Sequence, residues 1–308
     1  MVKKSMLVNR LYKNATERVF EILVYTFLIF ISLIMLYPFL YMLAVSLSST
    51  KDMAAVTFYP RGLHFFFYKF VFSLPSVRTG YINSVLYTSV GTLISLFLTT
   101  CCAYPLSKKW LPGRKIITVF IVITMYFNGG LIPYFIIVKR LGLYNNMGAI
   151  VIPGAMVTIY MIVMVTFFRG IPVELEESCY VDGANELVIL SKIFLPLSKP
   201  IIATLALFYS VLQWNSWFGA AIFLNDKTKY PIQLVLRNAM ISLSSGSGGG
   251  GLDRGEMAAL LKVMNLENTD VYALNYALTI AVVLPIIFIY PFLQKYFIKG
   301  VMIGSLKG

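Results

Sequence analysis

The sequence predicts an all-α membrane protein built as a single bundle of six transmembrane helices, and three observations carry that prediction. Of the 308 residues, 58% are hydrophobic and only 13% are charged, whereas soluble domains run near about 25% charged. The apolar residues gather into runs long enough to cross a bilayer, which takes about 20 residues at a rise of about 1.5 Å each. The basic residues, which give a net charge of +13, sit at the ends of those runs, where lysine and arginine anchor spans among the headgroups. They form no stripe, so the charge points to membrane lipid and not to nucleic acid.

The elements follow in chain order. Segment 1–19 carries Lys3, Lys4, Arg10, Lys13 and Arg18. The apolar run after it is much longer than the roughly 7–15-residue core of a signal peptide, so an uncleaved first span over 20–46 is expected. Further spans are expected at 82–107, 116–137, 147–168, 200–223 and 273–294, giving a transmembrane domain over 20–294. The link at 108–115 holds Lys108, Lys109, Arg114 and Lys115, against Lys139 and Arg140 in the link after span three. That bias places both termini, the 108–115 link and the 169–199 segment on the cytoplasmic side, with 295–308 as a cytoplasmic tail and 224–272 as an external loop. Within that loop Ser244 to Gly251 reads as a flexible linker and not a P-loop, because no Lys–Ser/Thr follows it. A short helix along the membrane face is expected after it.

Catalytic chemistry finds no purchase. Cys101, Cys102 and Cys179 give no disulfide framework, His64 stands as the one histidine, and no zinc, nucleophile-elbow or CxxC motif occurs. No cofactor site is expected.

The segment Glu174 to Pro200 is different in kind. It carries Glu174, Glu176, Glu177, Asp182 and Glu186. On the insertion scale each central carboxylate costs about 2.5–3.5 kcal/mol, so the segment lies in water or against a partner. Pro172 suits a first helical turn, and the glutamates favour the positive end of the helix dipole. A helix over 173–182 puts Val173, Glu177, Tyr180, Val181 and Ala184 on one face, an acid within an apolar strip. Gly183 interrupts it, and a second helix from Asn185 to about Leu195 places Leu187, Leu190, Phe194 and Leu197 together, with Pro196 and Pro200 ending it. Such a helix–break–helix hairpin suits a partner with an apolar groove and a basic residue for Glu177. The competing reading is an amphipathic loop packed on the protein's own underside.

The pattern Glu177-Ser178-Cys179, then Asp182-Gly183-Ala184, then Ile193-x-Leu195-Pro196 resembles the EAA loop of ABC importer permeases, with Ser178 and Cys179 at the two alanine positions. "YPFLYMLAVSLSS" at 37–49, "AYPLSKKWLPGRK" at 103–115, "WNSWF" at 214–218 and "QKYFIKGVMIGSLKG" at 294–308 are similar to carbohydrate-uptake permeases of the maltose-transporter MalG type, and 127–146 resembles the LplC/YtcP-like subgroup. The resemblance implies a bacterial inner-membrane permease whose hairpin docks on an ATPase. Its implied partners are a second, different permease, two ATPase subunits that hold ATP and Mg, and an extracytoplasmic binding protein delivering an oligosaccharide. On this resemblance Glu177 contacts the ATPase, Gly183 gives the bend, Pro196 sets the exit angle, and 300–308 makes a further contact.

The pathway is read from polar residues within spans. Gln213, Trp214, Asn215 and Trp217 combine amides with aromatic faces, as sugar recognition needs, although the tryptophans equally suit an interfacial belt. Asn128, followed by Gly129 and Gly130, suits a helix break beside a cavity or a plain helix end before Pro133. An ABC permease for a cargo other than sugar is one rival reading, and an ion-coupled secondary transporter is the other. It lacks the intramembrane acids or repeat such a carrier normally shows, and it would work without ATP.

Overall fold

The computed structural model describes residues 15–48, 58–127, 129–245, 255, 256, 258, 259, 262 and 272–288. The chain forms two compact units, residues 1–69 with 263–280, and residues 70–262 with 281–308. Among the described residues the architecture is all-α, with one isolated antiparallel bridge, Ser48 to Leu63.

In the first unit α1, Ala15–Ser46, is apolar on every side over Glu17–Ser46, and no part of its most apolar stretch is buried. A helix that is hydrophobic all round belongs in lipid. Its end is pinned: Ser46 shares a 2.6 Å hydrogen bond with Tyr68 on α2 (Phe66–Ser73), and the His64 amide donates to the Leu47 carbonyl.

The second unit is organised by α3, Pro75–Ser107, which opens on a proline at its first turn. Its buried face recurs every three or four residues through Gly80, Ser84, Tyr87, Gly91, Ser95, Thr99 and Ala103. Most of these are small, which lets neighbouring helices approach where apolar burial alone gives no drive inside lipid. Against this face pack α7 (Thr158–Arg169), α10 (Lys199–Trp214) and α12 (Ile232–Ser245). Tyr209 of α10 binds Thr99 at 2.6 Å and accepts from the Val157 amide that precedes α7, so one phenol joins three elements.

Between them in the chain come α4 (Arg114–Tyr126), α5 (Leu131–Arg140), α6 (Gly148–Val151), α8 (Val173–Val181), α9 (Glu186–Leu197) and α11 (Trp217–Phe223). The last described helix, α13 (Tyr272–Phe288), is divided between the two units after Ile280. Several expected spans are therefore broken. The run 116–137 divides between α4 and α5, where Gly130 takes φ +84° before the second helix. The run 147–168 is interrupted over 152–157, around Pro153 and Gly154, although Ile152 before the proline keeps a helical backbone at φ −79° and ψ −49°. The run 200–223 breaks at Asn215–Ser216, where the Asn215 amide donates to the Val211 carbonyl. Within 224–272, expected as a loop, α12 forms and packs on α3. Its first amide donates to Ser84 at 2.8 Å. Of the expected sixth span, 273–288 is helical and 289–294 lies outside the described residues, as do 1–14 and the tail 295–308; of the expected linker 244–251, Ser244 and Ser245 end α12 instead and 246–251 lies outside the described residues.

At the Pro75 end of α3 a polar knot fixes the link 224–231. Asn145, at φ +58°, accepts from the amides of Asn225 and Asp226, while Lys229 donates to its carbonyl. Asn83 and Tyr87 of α3 donate to the carbonyls of Thr228, Lys229 and Tyr230. Asp226 caps Thr228, and these hydrogen bonds hold its carboxyl below the usual carboxylate range.

Candidate functional site: the acidic hairpin

At the opposite end of α3 the chain from Pro172 to Ser198 folds as a hairpin. Its first limb, α8, starts on Pro172 and places Glu174 and Glu176 in its first turn, beside the unpaired amides. Its end is a complete Schellman turn. The Ala184 amide reaches back to the Cys179 carbonyl at 2.9 Å, the Gly183 amide to Tyr180 at 3.0 Å, and Gly183 takes φ +76°. Asn185 then caps the second limb by accepting from the Val188 amide at 2.9 Å. The small residues at 179 and 184 sit where the two ends of that turn touch, both packed against the buried core. Asp182, Gly183 and Ala184 thus form the bend expected of them.

The second limb departs from expectation. A π turn occupies Leu190–Phe194, so the helix carries an extra residue there and its faces rotate. Leu187, Leu190, Phe194 and Leu197 consequently do not form one stripe. Phe194 and Ile189 are buried, Leu190 and Ile193 are half-buried, and Leu187 is 75% exposed. Nor does Pro196 end the limb. It lies within the helical turn Leu195–Leu197, and the chain bends by 81° into α10 at Ser198, with Pro200 in the first turn beyond. In a regular helix the Pro196 ring would press on the carbonyl four residues back, at Lys192. The wider turn spans that position.

The hairpin has two unlike faces. The outward one presents Val173, Glu177, Ser178, Val181 at 88% exposure, Asp182 and Leu187. Among the described residues no hydrogen bond or ion pair holds Glu177. The inward face meets the end of α3. There Lys108 Nζ lies 2.6 Å from Glu176 Oε2, with side-chain exposures of 4% and 13%. The same ammonium stands 4.2 Å from the ring centroids of both Tyr104 and Phe194. Tyr104 donates to Glu186 Oε2 at 2.6 Å, and Tyr180 donates to the other oxygen of that carboxylate. Partial burial, then the hydrogen bond to Glu186, push the Tyr180 phenol well above its ordinary value. Arg169 and Arg114 donate to the carbonyls of Leu106 and Lys108, satisfying the end of α3. One face of the segment therefore lies on the protein's own underside and the other stands exposed.

Sequence reasoning did not single out Lys108, Tyr104, Glu176 or Glu186 as partners. Lys108 beside Lys109 at a span end has the pattern of a headgroup anchor. The helical offset of Glu176 from Glu177, about 100°, was the available signal.

The pathway residues separate. Gln213 and Trp214 are buried, and Gln213 lies against Gly91, where a Cβ would stand 2.7 Å from its amide carbon. The Asn215 amide is engaged by backbone. Trp217 is partly exposed, with the Arg237 guanidinium 4.7 Å from its ring centroid. Asn128 lies outside the described residues.

The chain is 38% identical over 294 residues to the polygalacturonan/rhamnogalacturonan transport system permease protein YtcP of Bacillus subtilis (strain 168), covering 95% of this chain and 99% of that protein. It is 37% identical over 303 residues to protein LplC of the same organism, covering 98% and 99%. A chain in the crystal structure of a bacterial ABC transporter involved in the import of the acidic polysaccharide alginate superposes with a TM-score of 0.83 at 30% identity, over 93% of this chain and 99% of that one. No family model matches the chain.

Proposed function

Because the chain belongs to the permease subunits of ABC importers, we propose that it carries oligosaccharides rich in uronic acids across a bacterial inner membrane, driven through its hairpin by a separate ATPase. It is a transport subunit and not an enzyme. The observation that carries the coupling reading is the outward face of the hairpin, an unengaged Glu177 among exposed Val173, Val181 and Leu187. An apolar strip carrying Glu177, with Asp182 beside it, fits an apolar groove bearing basic residues. The acidic character of the cargo is supported by two similar proteins, one named for polygalacturonan and rhamnogalacturonan and the other for alginate. A basic chain of net charge +13 is compatible with it.

The working assembly pairs this permease with a second one, two ATPase subunits holding ATP and Mg, and an extracytoplasmic binding protein. The hairpin and both termini face the cytoplasm. Closure of the ATPases draws the hairpins together and shifts the spans between inward-open and outward-open states, which lie within a few kcal/mol of each other so that ATP and loaded binding protein can bias them. On the far side, Trp217 under Arg237 offers a ring face and a cation to a carboxylated sugar.

The test is a mild-detergent pull-down followed by reconstitution. Recovery of an ATPase and a second permease, with ATP-dependent uptake of labelled oligogalacturonides into proteoliposomes, supports the reading. Uptake of a neutral oligosaccharide alone would remove the acidic cargo, and uptake down an ion gradient without ATP would remove the coupling.

A further inference from the structure

We propose that the inward face of the hairpin is a clasp that transmits load: the Lys108–Glu176 ion pair, backed by Tyr104 and Glu186, ties the first limb to the end of α3 so that a pull on the hairpin moves that helix. The proposal deepens the coupling reading and rests on it. The first limb needs such a tie, because α8 has no fully buried residue and touches the core only through the half-buried Cys179 near its end. The second limb is anchored by Ile189 and Phe194 in the core. A partner pulling at Glu177 would therefore swing α8 about Gly183 as a free lever unless something fastened it. Two polar contacts fasten it beyond that packing: Glu176 to Lys108, and Tyr180 across the hairpin to Glu186.

Lys108 is placed to receive the load. It caps α3, its carbonyl is held by Arg114, and its ammonium meets the first limb through Glu176 and the second through the ring of Phe194. The neighbouring Leu106 carbonyl is tied to Arg169 at the end of α7. The pair is mostly buried, so salt screens it little. Lys108 and Glu176 are then positioning residues for coupling, distinct from Glu177, which faces the partner.

The complete importer is purified with its ATPase as wild type, Lys108→Met and Lys108→Arg, and hydrogen exchange is followed by mass spectrometry before and after trapping with ATP, Mg and orthovanadate. In the wild type, trapping changes exchange in both the hairpin, 173–187, and the strip 106–115. Lys108→Met is expected to keep the ATPase and the hairpin response while the response of 106–115 falls about tenfold, and Lys108→Arg restores it. An unchanged response over 106–115 in Lys108→Met overturns the clasp. So does loss of the ATPase in both variants, which makes the residue structural only. A wild-type chain that purifies without any ATPase removes the coupling reading itself, and the clasp with it.

Discussion

Gly183 carries the bend of the hairpin at φ +76°, and a Cβ built there meets no atom within 4 Å. The demand for glycine is therefore one of backbone and not of space. Gly183→Ala is expected to cost about 1–2 kcal/mol and Gly183→Asn less, read as thermal unfolding in detergent. Lys108 sits under the opposite constraint. Replacing it by alanine strands the mostly buried Glu176 carboxylate, at a cost of about 3 kcal/mol, and Lys108→Ala paired with Glu176→Gln should cost less than Lys108→Ala alone. Asp226 gives a pH test. Its carboxyl is held low in the folded chain, so its contribution is present above the ordinary carboxylate value and is lost as pH falls through the depressed one. Asp226→Asn should thus lower the melting temperature at neutral pH, and the gap to wild type should close below about pH 4. At this scale the sequence spoke clearly where residue type is backbone chemistry, as at Gly183 and Asn185. It was silent on which carboxylate turns inward, because Glu176 and Glu177 are the same chemistry one residue apart.

The helices were legible where hydrocarbon runs on without punctuation, as in α1 and α3. They were misjudged where a run conceals a break. Asn215–Ser216 and Pro153–Gly154 are short polar or rigid marks within apolar stretches, and hydropathy averages over them. Helix α12 escaped because its buried positions, Ile232, Leu234, Val235, Ala239 and the polar Ser242 among them, mix apolar and polar residues in a segment otherwise read as loop. Packing between elements offers its own test. Gly91 admits the Gln213 side chain so closely that Gly91→Ala puts a methyl 2.7 Å from the Gln213 amide carbon. That substitution should destabilise the α3–α10 pair by about 1–3 kcal/mol, and Gln213→Ala in the same chain should recover most of the loss. A melting experiment on the two single variants and the double reads that coupling.

For the molecule in its assembly, the division of the hairpin into two faces separates two phenotypes. An exposed acid acting on a partner is open to screening, whose length is about 10 Å at 0.1 M salt, whereas the buried pair beneath it is not. ATPase retained by the purified permease should fall as salt is raised from about 0.1 to 0.5 M, and Glu177→Ala should bind more weakly and show a flatter salt profile. Glu176→Gln should leave that profile as steep as in the wild type. A Glu177→Ala chain with the wild-type salt dependence would place the docking acid elsewhere.

The π turn at Leu190–Phe194 has a consequence for heredity. Such a turn holds one residue more than a regular helix needs and spans the position on which the Pro196 ring would press, so the gene can lose a codon there and keep the limb whole only where Pro196 is replaced as well. A one-residue deletion within 190–194 combined with Pro196→Ala should still yield a folded chain, whereas a one-residue deletion within 173–181 would turn Glu176 away from Lys108 and Glu177 away from its partner. Among related chains, length differences in this hairpin should therefore collect in its second limb and spare its first.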